Sequence, residues 1–379
     1  MTDRQTDRKP IRNSGVELLK IIAIFLIVIS HVTQTLCTTS TRVSISDYVI
    51  PLGSATTDVS IIILMLFRQL GALSNNIFFV CSAWFLIGKT TTVRKKAFNL
   101  LCTVWVVAIL FLFAYLAFSP FDISFSDILR QIVPSTSLNN WYMTCYIIFL
   151  FVYPYLNKII DLLDQKQLLR VVLFSSFLYI AMNYIMSGLF FTSNLILWIT
   201  IFLLMAYLKL YCQGILNVKT GYLLILIGGI GFVGQVVITN VIGLHLSVVS
   251  NNVMWWNKSC CPFYIMIALG SLIVALQAHY KVRAINYISS LSLFIYLIHE
   301  NYLFRNYSRP YIWQWLYLQY GYSHVVLLVL IFASCLFCAS CIVSAAYKAT
   351  IQRRVNKCTD SLFKFISIGY RKVESLLIK

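Results

Sequence analysis

RNSGVELLKIIAIFLIVISHVTQ, residues 12–34, has the pattern of a helix that enters and crosses a membrane. Residues 18–30 are almost all Ile, Leu, Val, Ala or Phe, and Glu17, Lys20 and His31 are the ionisable residues that interrupt them. At about 100° per residue, Lys20 and His31 lie roughly 20° apart around the helix axis and about 16 Å apart along it, with Glu17 on the same face. A charged group within a bilayer is costly unless it faces protein or water, so this polar face predicts a helix that lines a cavity.

The composition indicates a membrane protein. Of the 379 residues, 60% are hydrophobic and 11% are charged, whereas soluble domains average about 25% charged. We therefore predict an all-α polytopic membrane protein with about ten transmembrane helices. The predicted spans lie near residues 16–37, 70–88, 98–118, 140–157, 168–188, 193–209, 220–243, 260–279, 286–304 and 323–347. The apolar residues 59–70 are a candidate for an extra interfacial helix. The first span contains charges and precedes many others, so we do not expect a cleaved signal peptide.

Lys and Arg residues are distributed unequally between the two sides of these spans. With the N-terminus inside, the inner segments carry 23 of the 30 Lys and Arg residues and the outer segments carry six. Cytoplasmic segments are enriched in these residues, so we predict that both termini are cytoplasmic. The net charge of +18 then reflects topology and a basic tail near anionic lipid, and it does not indicate nucleic acid as a partner. We divide the chain into a membrane-embedded domain, residues 1–347, and a basic cytoplasmic tail, residues 348–379.

Two motifs suggest cofactor sites but have a better explanation in helix packing. Residues 229–234 contain a G-x-G-x-x-G pattern, but the dinucleotide fingerprint requires a preceding strand, whereas these glycines lie within an apolar span. Residues 335–341 contain a C-x-x-C-x-x-C pattern, which also lies within a span and has no fourth thiol nearby. We therefore predict neither a nucleotide nor a metal at these positions.

His299 ends the segment SLSLFIYLIH near the outer end of the ninth predicted span, and Glu300 and Asn301 follow it. An ionisable cluster at membrane depth is a candidate functional site. A buried histidine whose hydrogen bonds are satisfied is the structural alternative. The other histidines of the later spans fall near span ends, where an interfacial position explains them.

Four segments resemble the acyltransferase 3 family, membrane proteins that O-acylate carbohydrates with acyl-CoA. ELLKIIAIFLIVISHV resembles the family's first span, in which ten residues separate a basic residue from a histidine, as they separate Lys20 from His31. NNIFFVCSAWFLIGK resembles the second span, with Ser82 at the family's serine and Ala83 where Gly is usual. WYMTCYIIFLFVYPYLN resembles the fourth span, and SLSLFIYLIHEN resembles a late span, with His299 at its histidine.

The resemblance implies an O-acyltransferase in the plasma membrane, most simply of a bacterium. It implies acyl-CoA, in the simplest case acetyl-CoA, as co-substrate, a hydroxyl of a cell-surface carbohydrate as acceptor, and no metal. The predicted catalytic residues are Glu17, Lys20, His31 and His299. The predicted substrate-binding residues are Ser82, Trp141, Tyr142, Glu300 and Asn301. Arg94, Lys95 and Lys96 lie where the family often has an R-x-x-R pattern; the pattern itself is absent, and these residues are candidates to bind the CoA phosphates.

Acyl transfer from a thioester to a hydroxyl requires a base for the hydroxyl proton and stabilisation of the oxyanion. Histidine is the usual base. His31 lies about 24 Å along its helix from the inner boundary, in the outer half of the membrane. We expect it to be the general base, with His299 close to it across the cavity. Lys20 lies in the inner half, where it can meet CoA or form an ion pair with Glu17 that merely permits insertion.

Two other functions are compatible with the sequence. Ten spans with a polar face inside the membrane also fit a transporter or flippase, although such proteins commonly show internal repeats and broken helices. A non-catalytic relative that only assembles with glycan machinery is the third possibility. Lys20 and His31 together favour an enzyme, and turnover of acetyl-CoA discriminates between the three.

Overall fold

The computed structural model describes residues 13–38, 41–89, 94–134, 140–186 and 193–377. Within these ranges every regular element is a helix. The α-helices are α1 (Ser14–Leu36), α2 (Val59–Ala83), α3 (Arg94–Phe118), α4 (Phe125–Ile132), α5 (Trp141–Leu162), α6 (Gln165–Ser176), α7 (Asn183–Ile185), α8 (Asn194–Tyr211), α9 (Val218–His245), α10 (Ser247–Ser250), α11 (Pro262–Leu276), α12 (Arg283–Ser289), α13 (Ser292–His299), α14 (Arg309–Tyr320), α15 (Val325–Thr350) and α16 (Gln352–Leu377). The basic residues of the N-terminal segment, residues 1–12, lie outside the described part of the chain.

Eight helical segments in the described ranges are long and apolar enough to cross a membrane. They are α1, α2, α3, α5, α8, α9, α15 and a segment in which a π-helical stretch, Phe177–Met182, joins α6 to α7. The prediction of an all-α polytopic membrane protein is therefore confirmed. Its count of about ten is approximate, because α11 has only 15 residues and the ninth predicted span is broken.

The ninth predicted span, near residues 286–304, consists of two short helices rather than one. The helix α12 ends at Ser289, and α13 begins at Ser292 and ends at His299. The break is stabilised by polar contacts, since the amide of Ser290 bonds to the carbonyl groups of Asn286 and Tyr287, and Ser289 donates to Glu17 of α1. Hydropathy alone does not reveal this break, because the flanking residues are apolar.

Residues 59–70 belong to a transmembrane helix and do not form a separate interfacial helix. The carboxylate of Asp58 accepts a hydrogen bond from the amide of Ser60 at 2.7 Å and so caps α2. The helix begins at Val59, eleven residues before the predicted start near residue 70. The predicted alternative of an extra interfacial helix is thus wrong. The consequence for the site is that Arg68 lies within the membrane part of α2.

Helix α1 lies at the centre of the fold and packs against α2, α11, α12, α13, α14 and α15. The close approach of α1 and α2 depends on Gly71, since a Cβ atom there would lie 2.6 Å from Ser30 Oγ. Ser30 Oγ donates to the carbonyl of Arg68 at 2.7 Å, which fixes the depth of α1 relative to α2. This register determines where His31, the next residue, is held.

The two motifs attributed to packing lie inside helices. In α9, a Cβ atom at Gly231 would lie 2.2 Å from the ring of Phe263 on α11, so this glycine permits close contact of the two helices. The cysteines of residues 335–341 lie in α15 and are free thiols. Neither motif has the surroundings of a cofactor site in the described part of the chain.

We call the end of the bundle at which α1 begins the inner end and the opposite one the outer end. Helix α16 lies at the inner end, where it packs against α3 and α15 and where Asp360 pairs with Lys95 at 2.9 Å. Its Leu362, Phe365 and Ile368 are exposed. The predicted boundary between a membrane domain and a tail at residue 348, and the cytoplasmic location of the tail, stay predictions.

The orientation is tested with single cysteines in a background that lacks the native ones. Gln213 follows α8 at the inner end and Asp122 precedes α4 at the outer end, and both are exposed. An impermeant thiol reagent added to intact cells is expected to label Asp122→Cys and to spare Gln213→Cys. Disruption of the cells should make both reactive. Labelling of Gln213→Cys alone in intact cells would reverse the predicted topology.

Candidate functional site

Three ionisable residues meet in the outer half of the bundle. Helix α1 contributes His31, and the end of α13 contributes His299 and Glu300. His31 Nδ1 lies 3.1 Å from His299 Nε2 and 2.9 Å from Glu300 Oε2. His299 is fully buried, whereas the side chain of His31 is 16% exposed. His31 is therefore the member of the group that can meet a substrate.

The hydrogen bonds determine which ring nitrogens carry protons. The carbonyl oxygen of Ile295 lies 2.6 Å from His299 Nδ1 and can only accept, so His299 Nδ1 is the donor. In the neutral ring, His299 Nε2 then has the lone pair, and His31 Nδ1–H donates to it and to the Glu300 carboxylate. In the neutral form of His31, Nε2 then carries the lone pair. This is the form that a general base requires.

Two arginines hold the carboxylate of Glu300. Arg305 Nη1 lies 2.9 Å from Glu300 Oε1, and Arg309 Nη1 lies 3.2 Å from Oε2 and 3.4 Å from the carbonyl oxygen of His299. The chain brings them there because α13 ends at His299 and a π-helical turn, Phe304–Ser308, leads back into α14. Glu300 is thus ionised and fixed in place, and it orients the ring of His31 in turn.

Sequence reasoning missed both arginines as site residues, because it counted them among the outer basic residues. A signal was available. Glu300 is the acidic residue of the ninth predicted span, and basic residues come five and nine positions after it. A carboxylate at membrane depth needs cationic partners, and these are the nearest in sequence.

His31, His299 and Glu300 offer three ligand atoms that lie within 4.8 Å of one another, a spacing that a metal ion could use. The charges argue against this use. Both oxygens of Glu300 already contact arginines, and the added positive charge disfavours a cation. We interpret the group as a histidine oriented by a carboxylate, and the predicted lack of a metal stays a prediction.

Asn301 follows Glu300 in the chain and connects the histidine site to α4 through a hydrogen bond. Its side-chain oxygen accepts hydrogen bonds from Gln131 Nε2 at 2.8 Å and from the amide of Leu303 at 3.0 Å. The structure therefore gives Asn301 a positioning contact, and its predicted contact with substrate stays a prediction.

Helix α4 is fixed at the same place by Asp127. Its carboxylate accepts hydrogen bonds from Arg42 at 2.8 Å and from Tyr302 and Tyr307 at 2.7 Å. Burial raises the pKa of Asp127, but these hydrogen bonds outweigh burial and hold the pKa below its ordinary value. Asp127 is therefore ionised, and its charge is neutralised by Arg42.

Glu17 and Lys20 lie at the inner end and are not in contact with the histidines. Their side chains form an ion pair at 3.5 Å, and Glu17 also accepts a hydrogen bond from Ser289 Oγ. Lys20 is one of the charged groups near Tyr146 and Cys81. The structure thus shows the predicted ion pair and places both residues on the inner side of a cavity in the middle of the bundle. The predicted catalytic roles of both residues stay predictions.

A middle cavity of about 150 Å³ lies between α1, α2, α5 and α13. Ser82 and Tyr142, two of the predicted substrate-binding residues, line it together with Ile24, Ile27, Tyr146 and Tyr296. Trp141 packs against Tyr142 and Trp198, with ring centroids 5.8 and 6.5 Å apart, and does not line this cavity. The ring of Tyr296 meets that of His299 edge to face at 5.9 Å, which places the cavity next to the histidine pair.

An inner cavity of about 500 Å³ opens at the inner end of the bundle. Lys95 and Lys96 line it, and Gln352 and Asn356 of α16 form part of its wall. Arg94, the third predicted CoA-binding residue, is exposed and does not line it. Leu100 and Leu293 line both the inner and the middle cavity, so the two adjoin.

An outer cavity of about 200 Å³ lies on the other side of His31. Gln34 and Thr35, about one helical turn after His31 on α1, line it with Arg305 and Arg309. Ile24 and Ile27, about two turns and one turn before His31, line the middle cavity. His31 therefore lies between an apolar cavity that leads inward and a polar one at the outer end. The polar lining of the outer cavity was not predicted from the sequence, since it is assembled from α1, the segment after it and the turn before α14.

A comparison to known families identifies the class of protein in which this histidine site occurs. A family model described as an acyltransferase domain matches residues 13–347. No curated protein and no solved structure matches the chain significantly. The matched residues contain α1 to α14 and nearly all of α15, including every residue of the histidine site. The chain therefore belongs to the acyltransferase 3 family and is a multi-pass membrane acyltransferase.

Proposed function

We propose that this acyltransferase moves an acyl group, in the simplest case acetyl, from acyl-CoA to a hydroxyl of a carbohydrate, at the plasma membrane of a bacterium. The observation that carries the proposal is the position of His31. Glu300 orients its ring, a cavity approaches it from each side, and the neutral ring presents the lone pair of Nε2. Two substrates that enter from opposite sides of the membrane can meet at a residue that lies between two such cavities.

The donor is proposed to enter from the inner end. The CoA phosphates would lie beside Lys95 and Lys96, since a basic cavity attracts an anionic ligand. The narrow, apolar middle cavity suits the acyl-bearing arm of the donor, which would extend past Leu100 and Leu293. Its far end, beside Tyr296, brings the thioester carbon close to the histidine pair.

The acceptor is proposed to enter from the outer end. His31 Nε2 removes the proton of an acceptor hydroxyl, and the oxygen attacks the thioester carbonyl carbon. Collapse of the tetrahedral intermediate breaks the carbon–sulfur bond, so the ester forms and CoA leaves as thiolate. The imidazolium of His31, stabilised by Glu300, returns the proton to the sulfur. The products are an O-acylated carbohydrate and free CoA.

A transporter or flippase is the second candidate, because cavities reach towards His31 from both ends of the bundle. The experiment that tests the proposal is turnover of labelled acetyl-CoA by the purified protein in lipid nanodiscs, together with mass spectrometry of surface glycans from cells with and without the gene. An acetyl mass increment on a glycan that depends on the protein supports the transferase. Absence of both the increment and CoA release, with uptake or flipping of a glycan, would replace the proposal with the transporter.

The inner cavity gives a prediction about donor binding. Replacing Lys95 and Lys96 together with glutamine is expected to weaken acyl-CoA binding roughly tenfold at low salt and less at high salt, because exposed charge interactions are screened. Lys166→Gln, at the inner end but not in the cavity lining, is the matched control and is expected to bind like the wild type. Isothermal titration measures both. Unchanged affinity in the correctly inserted double variant would remove this cavity from the mechanism.

A further inference from the structure

The surroundings of His31 contain more positive than negative charge. Arg305 and Arg309 both contact Glu300. A third arginine, Arg68 of α2, lies at the same depth, since Ser30 donates to its carbonyl oxygen. Arg68 is close enough to Glu300 and Arg309 to interact with both electrostatically. Two guanidinium groups thus contact the carboxylate of Glu300, and a third lies near it.

The excess charge is not balanced by other residues that the structure describes. The carboxylate of Asp127 on α4 is engaged by Arg42. Among the described residues, the guanidinium of Arg68 forms no hydrogen bond or ion pair. The Nε atom of Arg309, in a side chain that is 1% exposed, also has no hydrogen-bond partner.

A half-buried cation such as Arg68 is unfavourable without a direct partner, and the orphaned buried N–H group of Arg309 adds to the cost. A bound anion would remove both costs, and the planar guanidinium matches carboxylate and phosphate oxygens. The outer cavity, which Arg305 and Arg309 line, has hydroxyl and amide groups elsewhere on its wall, from Gln34, Thr35 and Asn306. These groups suit the hydroxyls of a sugar. The donor phosphates are a poor match, because the cavity of Lys95 and Lys96 lies at the opposite end.

We infer that the acceptor is an acidic carbohydrate, whose carboxylate or phosphate binds among Arg68, Arg305 and Arg309 while a neighbouring hydroxyl meets His31. This inference rests on the proposed function, and it names the class of acceptor. The anion neutralises the arginine cluster and so positions the sugar relative to the base. A neutral sugar would leave Arg68 and the Nε atom of Arg309 without an anionic partner and would bind more weakly.

The test is a binding measurement on the purified full-length protein in nanodiscs without acyl-CoA. Glucuronic acid, glucose 6-phosphate and glucose are the probes. At least one acidic probe is expected to bind roughly tenfold or more tightly than glucose, with a difference that shrinks as salt is raised. Binding of glucuronic acid alone would identify a carboxylate acceptor, and binding of glucose 6-phosphate alone a phosphorylated one.

Arg68→Gln is the informative variant, since Arg68 does not contact Glu300 directly and its loss leaves the orientation of His31 intact. It is expected to lower affinity for the acidic probe about tenfold, whereas Arg68→Lys retains part of it. Lys258→Gln is the matched control, because Lys258 is an outer basic residue that donates to the carbonyl of Tyr184 at 3.0 Å, away from the cluster. Acyl-CoA binding at the inner cavity checks that each variant is folded. If Arg68→Gln does not fold, the affinity of Arg68→Lys for the acidic probe and the salt dependence of wild-type binding test the inference instead.

Equal affinity for glucose and both acidic probes would overturn the inference, as would binding of an acidic probe that neither salt nor Arg68→Gln alters. These outcomes test the acidic acceptor independently of the proposed transferase activity. Acetyl transfer to a neutral glycan would keep the transferase and exclude the acidic acceptor. Tight binding of an acidic sugar without acetyl-CoA turnover would keep the anion site and exclude the transferase.

Discussion

His31→Ala is expected to lower the rate of acyl transfer roughly 10²–10⁴-fold, because this is the usual cost of losing a general base. The variant should reach the membrane at normal abundance. One imidazole contributes little to the insertion of α1, whose other residues between Ile21 and Ser30 are apolar apart from the serine. The measurement is acetyl transfer per molecule of protein that binds acyl-CoA.

His279→Ala is the matched control for this substitution. His279 is exposed at the inner end and lies outside the three cavities and the histidine site, so its removal should leave the rate unchanged. His299→Ala is expected to be impaired as well, but its buried ring also packs against Tyr296 and bonds to Ile295. Near-normal transfer by His31→Ala would exclude His31 as the base. Loss of activity in proportion to loss of folded protein would indicate a packing role.

Glu300→Gln is the second substitution with a large expected effect. The amide cannot stabilise the imidazolium, and it can present an N–H group to His31 Nδ1, which favours the wrong tautomer. We expect the rate at saturating substrate to fall roughly 10²–10⁴-fold, as when the carboxylate of a catalytic triad is lost. The KM for acyl-CoA should not change, because Glu300 is distant from the inner cavity.

The same substitution leaves Arg305 and Arg309 without their carboxylate partner. Breaking a buried ion pair on one side typically costs about 3–5 kcal/mol of stability, so a lower melting temperature is also expected. A double variant, Glu300→Gln with Arg309→Gln, removes part of the unbalanced charge and should recover stability but not activity. Recovery of both would show that Glu300 acts only through folding. Asp122→Asn, an exposed outer acid, is the control for a lost negative charge.

Much of the fold could be predicted from the sequence, because hydrophobic length is a strong signal in membrane proteins. The apolar segments gave the class and most helices, with boundaries that moved by several residues. Hydropathy failed to predict helix ends that are set by polar side chains. Asp58 caps α2 and extends it into the stretch expected to be separate, and Ser289 helps to end α12 within a span that was expected to be continuous.

The candidate site was only partly predictable. His31 and His299 stood out because ionisable residues are rare in apolar segments, and the structure places them 3.1 Å apart. The arginines did not stand out, because nothing in the sequence distinguishes Arg68, Arg305 and Arg309 from basic residues that only set the topology. Their positions depend on the π-helical turn after α13 and on the contact between Gly71 and Ser30, and both features exist only in the folded chain. Spacing along one helix cannot reveal a cluster assembled from three.

The position of His31 between an inward and an outward cavity has an electrical consequence for the proposed reaction. The base takes a proton from a hydroxyl on its outer side and returns it to a sulfur on its inner side. The negative charge that this proton leaves on the acceptor oxygen passes through the tetrahedral intermediate to the same sulfur. Both charges move in the same direction, so the net charge that moves through the membrane field is zero, whereas a single charge that crossed it fully would be worth about 2.3 kcal/mol per 100 mV. A membrane potential therefore drives the reaction in neither direction, and transfer in sealed vesicles should keep its rate when that potential is collapsed.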